Sequence, residues 1–367
     1  MPFDDRDFPA GACSAPYSYG DGSRWVAAWL FAVAFMIYVM IVLGGATRLT
    51  GSGLSIMEWA PLSGALPPLS HAEWEHLFDL YKQIPQYSLL HTGMDLAGFK
   101  QIFWLEWTHR LWGRLIGVVF LVPLIWFVVR GMIPRRLVPR LVLLFVLGGL
   151  QGAVGWFMVA SGFFPDSTAV SPYRLVIHLV LALALYVAIL WTALSLWKRP
   201  PQRGEAVAGT ASRCATVLVL ALVSLTIVAG GFTAGLHAGL TYNTFPLMDG
   251  SLVPAGYASH APLWSNFFED VPTVQFDHRL LATLTALAAL AAVAVGLGSG
   301  ARGAARAAFL ALGVVVLAQY ALGVATLLNV VPVGLAVAHQ GTAVLLLTAA
   351  VVARHATRRV PIMKAVA

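Results

Sequence analysis

Four histidines lie within or at the edge of long apolar stretches: His109, His178, His278 and His339. Keeping an ionisable side chain in such a segment is costly, so each is by default a candidate for function. They fall two by two in the halves of the chain, His109 with His178 and His278 with His339. One neutral imidazole from each of two neighbouring helices suits axial ligation of a haem, because two helices can sandwich a flat macrocycle. Zinc or copper would ask for three or four ligands at one point, often with carboxylate or sulfur among them. A single membrane histidine is readily explained by hydrogen bonding between helices; four, repeated in pairs, point beyond that. One turn after each stands a small residue, Gly113, Ala182, Ala282 and Ala343, which would leave clearance for a porphyrin edge.

A carboxylate accompanies only one pair. Glu106 stands three residues before His109, so the two share a helical face, whereas Gln275 holds the matching place before His278. The second site therefore keeps the ligand pattern without the group that moves a proton. This predicts chemistry in the N-terminal half and a spectator redox centre in the C-terminal half. The plain structural alternative is a Glu106–Arg110 pair at i,i+4. Arg110, Arg114, Arg174 and Arg279 are expected at the outer rim, facing haem propionates or lipid phosphates.

The elements that must position these groups follow from composition. Of 367 residues, 59% are hydrophobic and 11% charged, against roughly 25% charged in a soluble domain. With a mean hydropathy of +0.79, a soluble globule is excluded. Uncharged runs lie between Arg24 and Arg48, after Arg114, between Arg140 and Asp166, between Arg174 and Lys198, after Arg213, and between Arg279 and Arg302. The run from Ala307 to Ala353 is long enough for two spans, split by Asn329, Pro332 and Gly334. The expected fold is thus an all-α integral membrane protein of eight transmembrane helices, arranged as two tandem pseudo-symmetric four-helix bundles. Its expected parts are a tail over 1–24, an N-terminal half over 25–198, a linker over 199–212, a C-terminal half over 213–354 and a tail over 355–367.

The net charge of +7 comes from basic clusters between spans, which reads as topology and not as a nucleic-acid footprint. Both termini and the clusters Arg130–Arg140, Lys198–Arg213, Arg302–Arg306 and Arg354–Lys364 are expected on the cytoplasmic side. The acidic residues Asp4, Asp5, Asp7 and Asp21 do not suit a cleaved leader. Two outward loops are expected, from about Ala46 to Gln101 and Gly235 to Val274, the first with an interfacial helix around His71 to Tyr81. His71, His76, His91, His237, His260 and His355 are expected to be solvated. Cys13 and Cys214 offer no disulfide framework. Small-residue helix faces would permit a homo-oligomer.

The halves echo each other. Leu43-Gly44-Gly45-Ala46-Thr47 recurs as Ala229-Gly230-Gly231-Phe232-Thr233, His109-Arg110 as His278-Arg279, Gln151 with Gly155 as Gln319 with Gly323, and His178 as His339. The offsets are 186, 169, 168 and 161, so loop lengths differ while the order holds. Four spans per repeat, an even number, give both halves one orientation, related by an axis along the membrane normal.

Longer strings support a resemblance. GGATRLTGSGLSIMEW from Gly44, PLSGALPP from Pro61, LEWTHRLWGR from Leu105, YRLVIHL from Tyr173, AGLHAGLTYNTFPLM from Ala234, FDHR from Phe276 and AHQGTAV from Ala338 follow in order through nearly the whole chain. Together they resemble the heme A synthase family of bacterial and mitochondrial inner membranes. The resemblance implies oxidation of the C8 methyl group of heme O to a formyl group by successive hydroxylations, giving heme A for terminal oxidases. It implies that His278 and His339 ligate a heme b cofactor, that His109 and His178 face the substrate haem, and that Glu106 is the essential carboxylate. Arg279, Arg110 and Arg114 would be the cofactor-binding cations. Some family members carry cysteine pairs in the outward loops; this sequence does not, and is similar to the proteobacterial and mitochondrial branch. Membrane lipid, an electron donor, heme O synthase and oxidase assembly factors are the implied partners. The residue pattern alone leaves open a bis-histidine diheme electron-transfer protein and a haem or isoprenoid transporter.

Overall fold

The computed structural model describes residues 21–61, 63–165, 167–197 and 209–358. Most of the expected 1–24 tail and 199–212 linker, and the last part of the 355–367 tail, lie outside the described residues. What is described is helical; among the described residues the sole β feature is an isolated bridge between Met248 and Ser251. Eight helices are long and apolar enough to cross a membrane: α1 (Asp21–Leu49), α4 (Leu96–Val129), α5 (Val138–Val159), α6 (Pro172–Trp197), α7 (Thr210–Gly235), α9 (Val271–Gly298), α10 (Gly303–Leu328) and α11 (Val333–Ala356). Between them lie the shorter α2 (His71–Tyr81), α3 (Pro85–Leu90) and α8 (Asn266–Glu269).

Local chemistry sets the ends. The Asp95 carboxylate accepts from the Gly98 N–H at 2.8 Å and starts α4; Asp270 accepts from the Thr273 N–H at 3.1 Å and starts α9, where Pro272 costs no hydrogen bond. Ser70 and Glu73 form a reciprocal capping box on α2, so the expected helix over His71–Tyr81 forms with those bounds. The long last apolar run breaks at Asn329–Pro332, between α10 and α11, as expected.

Two spans begin earlier than the apolar runs suggest. The uncharged runs begin after Arg114 and Arg279, but α4 and α9 start at Leu96 and Val271, so that His109 and His278 lie 13 and 7 residues inside them. The arginines that interrupt the apolar runs do not end these helices, because backbone carbonyls of the 46–101 and 235–274 loops receive Arg110, Arg114 and Arg279. The expected solvation of His91 and His355 also fails. His355 is 1% exposed, stacked edge-on to Trp191 with its Nε2 3.1 Å from Ser195 Oγ. Half-buried His91 bonds through Nδ1 to the Tyr81 hydroxyl at 2.6 Å.

The main core joins buried side chains of all eight spans, including Leu30, Leu141, Val219 and Leu312. A second cluster caps the first half at the end that carries the 46–101 loop, where Trp74, Phe78 and Tyr81 of α2 pack on Phe99 and Phe103 of α4. Within the first half α1 packs on α6 and α4; within the second, α7 packs on α9 and α11. The halves meet where α1 touches α11 and α6 touches α7. At these seams Gly45 lies against the Gln340 side chain and Gly231 against Val176. Gln340 Nε2 donates to the Ile41 carbonyl at 2.8 Å, and Arg48 reaches the Ala234 carbonyl at 2.8 Å.

Candidate functional site: two histidine pairs under the outer loops

Each of the four histidines rests against a glycine of a neighbouring helix. A methyl group placed on Gly44 of α1 would lie 3.0 Å from Cε1 of His109; on Gly155 of α5, 2.9 Å from Cε1 of His178. The same construction gives 2.9 Å between Gly230 of α7 and His278, and 2.9 Å between Gly323 of α10 and His339. Any larger residue would displace the ring. His109 stands on α4 and His178 on α6, His278 on α9 and His339 on α11, so each expected pair draws one histidine from each of two helices. The glycines appeared in the sequence only as repeat markers; their regular pairing with the histidines was the signal available. Gly113, expected to give clearance for a macrocycle, is turned toward Met40 of α1.

Two glutamines complete the pairs. Gln151 Nε2 lies 3.1 Å from Nδ1 of His178 and donates to the His178 carbonyl at 2.9 Å, while Gln319 Nε2 lies 3.2 Å from Nδ1 of His339. Nδ1 of His109 and of His278 is buried without an aligned partner, as is Oε1 of both glutamines. Buried polar atoms are normally satisfied, and an imidazole whose Nε2 is taken by iron would turn its Nδ1–H to a protein acceptor. Buried imidazoles backed by glycines, one from each of two helices, fit a haem. Among the described residues no cluster of three or more His, Cys, Asp or Glu side chains stands ready to hold another metal.

Above each pair an outer loop is clamped by the same two helical positions. In the first half Glu106, 2% exposed, accepts at one oxygen from Ser55 Oγ (2.7 Å) and the Ile56 N–H (2.9 Å). Its other oxygen takes Arg110 Nε (3.0 Å) and Nη2 (2.6 Å). Arg110 also donates to the carbonyls of Ile56 and Glu58. In the second half Arg279 donates to the carbonyls of Tyr242 and Thr244, the residues that the repeat pairs with Ile56 and Glu58. Gln275 donates to the carbonyls of Ala238 (2.9 Å) and Thr241 (2.6 Å). The clamp is preserved and its polarity inverted: the first loop offers donors to a carboxylate, the second offers acceptors to an amide. Gly51 and His237, matched by the repeat, both take left-handed φ values of 68° and 53° at the turn into a 3-10 segment.

The rim arginines are therefore engaged with protein first. Arg114 Nε and Nη2 donate to Pro61 and Ala60 carbonyls, leaving Nη1 buried and unpartnered; Arg279 keeps a buried, unpartnered Nε. Arg174, one turn before His178, donates to the Phe157 carbonyl and helps line a cavity of about 360 Å³ with Ser161, Phe164 and Ser171. Arg110 also lies over the ring of Trp156, 5.7 Å from its centroid, next to Gly155. α4 and α5 are more open than their counterparts α9 and α10, with 11% and 6% of their apolar stretches buried against 22% and 28%.

Eight spans carrying paired imidazoles beneath clamped loops define a polytopic membrane protein with two related sites. The chain belongs to the COX15-CtaA family of cytochrome oxidase assembly proteins, whose model matches residues 27–351. It is 61% identical over 361 residues to the heme A synthase of Granulibacter bethesdensis, covering 95% of this chain and 94% of that one. It is 49% identical to heme A synthase 2 of Acidiphilium cryptum, with 90% and 91% covered, and 48% identical to the heme A synthase of Bradyrhizobium diazoefficiens, with 92% of each covered.

Proposed function

We propose that this protein is a heme A synthase, converting the C8 methyl group of heme O to a formyl group by successive hydroxylations. The observation that carries the reading is the pair of glycine-backed imidazole sites of which only the first has a buried carboxylate beside it. The relatives' names and the family support it. On this reading the chain forms two four-helix halves over 25–198 and 213–354, in the inner membrane with both termini cytoplasmic.

His278 and His339 would hold a resident heme b, which supplies one-electron transfer when bound. His109 and His178 face the substrate heme O. Its isoprenoid tail suits entry from lipid between α4 and α5, the sparsely buried spans. Propionates meet the remaining donors of the rim, of which Arg114 Nη1 is one. Glu106 holds the Ser55–Glu58 turn beside His109, so that the turn closes the site against water. Through the Ser55 hydroxyl, which it holds at 2.7 Å, it is also placed to take a proton from one hydroxyl of the substrate's geminal diol and return it to the departing hydroxyl, so that water leaves and the formyl group remains. An electron donor, heme O synthase and oxidase assembly factors are the fitting partners, and self-association through small-residue faces accords with the exposed spans.

The test is extraction of pigments from the purified protein, followed by incubation with heme O and reductant. Heme B together with heme O and heme A in the extract, with the heme B lost on His278→Ala or His339→Ala, supports the assignment. A preparation whose redox spectra cycle reversibly while added heme O stays unchanged would instead identify a diheme electron carrier.

A further inference from the structure

Metal-bound histidines in proteins almost always donate their second ring N–H to a carbonyl or carboxylate, which fixes the tautomer and aims the ligating nitrogen. Among the described residues no hydrogen bond or ion pair joins an acidic side chain to His278 or His339, and the glycines supply the alternative. With no Cβ at Gly230 or Gly323, each imidazole edge lies directly on the backbone of the adjacent helix. The point a Cβ would occupy is 3.4 Å from Nδ1 of His278 and 3.5 Å from Nδ1 of His339. The carbonyls of Thr226 and Gln319, one helical turn before Gly230 and Gly323 on the same faces of α7 and α10, are the backbone acceptors that the missing Cβ uncovers. Such a carbonyl has a second lone pair besides the one used in its helix. Turning the Gln319 amide over would also bring its orphaned Oε1 to the same Nδ1–H.

We infer that Gly230 and Gly323 are positioning residues for the resident haem. Each opens a notch in which a ligand imidazole donates Nδ1–H to neighbouring backbone, leaving Nε2 as the ligating atom. His178 is held differently. The Gln151 amide that meets its Nδ1 is pinned by the His178 carbonyl at 2.9 Å and is not free to turn over. This inference rests on the proposed haem-binding role of the histidines, and its test separates the two.

The test compares Gly230→Ala and Gly323→Ala with Gly313→Ala in purified holoprotein. A methyl at Gly313 would make ordinary contact with Val293 at 3.5 Å. Optical and EPR spectra of the resident haem, and its midpoint potential, are the readouts. Both notch variants are expected to lose the low-spin bis-histidine signal in favour of high-spin or haem-free protein, while Gly313→Ala matches the parent. Low-spin spectra and potentials unchanged in both notch variants would overturn the inference while leaving haem binding intact. Resident haem that survives removal of His278 and His339 would instead overturn the haem assignment itself. Should the notch variants fail to accumulate, pulsed EPR of the ¹⁵N-histidine-labelled parent in H₂O and D₂O decides. An exchangeable Nδ1 proton on both ligands supports the notches, and iron bound through Nδ1 refutes them.

Discussion

Replacing Glu106 with Gln tests the clamp over the first histidine pair. The carboxylate accepts four hydrogen bonds, two from Arg110 and one each from Ser55 Oγ and the Ile56 N–H. An amide has one acceptor atom. If that atom stays on Arg110, the new NH2 faces Ser55 and Ile56; the serine hydroxyl can rotate to accept, but the Ile56 N–H cannot. One buried donor is then left unsatisfied, costing ~1–3 kcal/mol, and the Arg110 bonds lose their charge assistance. Arg110 retains the carbonyls of Ile56 and Glu58, which places the total at the low end of the range for breaking a buried pair, about 3 kcal/mol. That is roughly 100-fold in the opening equilibrium of the loop. Hydrogen exchange by mass spectrometry in nanodiscs is the assay. Exchange at the Ile56 amide should quicken by about that factor, with haem content retained and heme A formation abolished. Exchange at Ile56 as slow as in the parent would refute the clamp, and an undiminished heme A yield would refute the role of Glu106.

Gln275→Glu sets a carboxylate against the carbonyls of Ala238 and Thr241, two acceptors it cannot satisfy; proteolysis within 238–244 should accelerate, and equal cleavage rates would contradict the inverted polarity of the second clamp. Gly45→Ala drives the Gln340 side chain off the Ile41 carbonyl, at ~1–3 kcal/mol for overpacking; a lowered thermal midpoint in detergent, partly restored by adding Gln340→Ala, is the expected result. The backbone N–H groups of Ser70 and Leu69 hold the Glu73 carboxyl below the usual carboxylate range. Because the folded pKa is depressed, this support for α2 is complete above the unfolded value and disappears as pH falls through the folded one. Trp74 fluorescence should report fraying of the α2 start at acid pH, and Glu73→Gln should remove that transition.

The spans were legible because crossing hydrocarbon demands a length of apolar sequence that little else requires. The capping box made α2 legible, since Ser70 and Glu73 carry their own geometry. The start of α4 was not, because Lys100, Glu106, Arg110 and Arg114 read as the end of a membrane segment until the carbonyls of Ile56, Glu58, Ala60 and Pro61 are seen to receive the two arginines. Backbone acceptors leave no mark in a sequence. The histidines were legible by type and repetition, and Glu106 by its contrast with Gln275. What the contrast meant was hidden, for it also reflects which way the peptide groups of each loop point. His355 shows the opposite failure: a terminal position suggested water, but Trp191 and Ser195 cover it from α6.

The two glycines at the outer end of α1 face different ways. Gly44 backs His109 in its own half, while Gly45 receives Gln340, the residue next to His339 in the other half. One helical turn thus serves as a wall of both chambers. A guest beside His109 that displaced α1 would press on the neighbour of His339, and any factor by which it changed affinity there would be the factor by which occupancy of the second site changed affinity at the first.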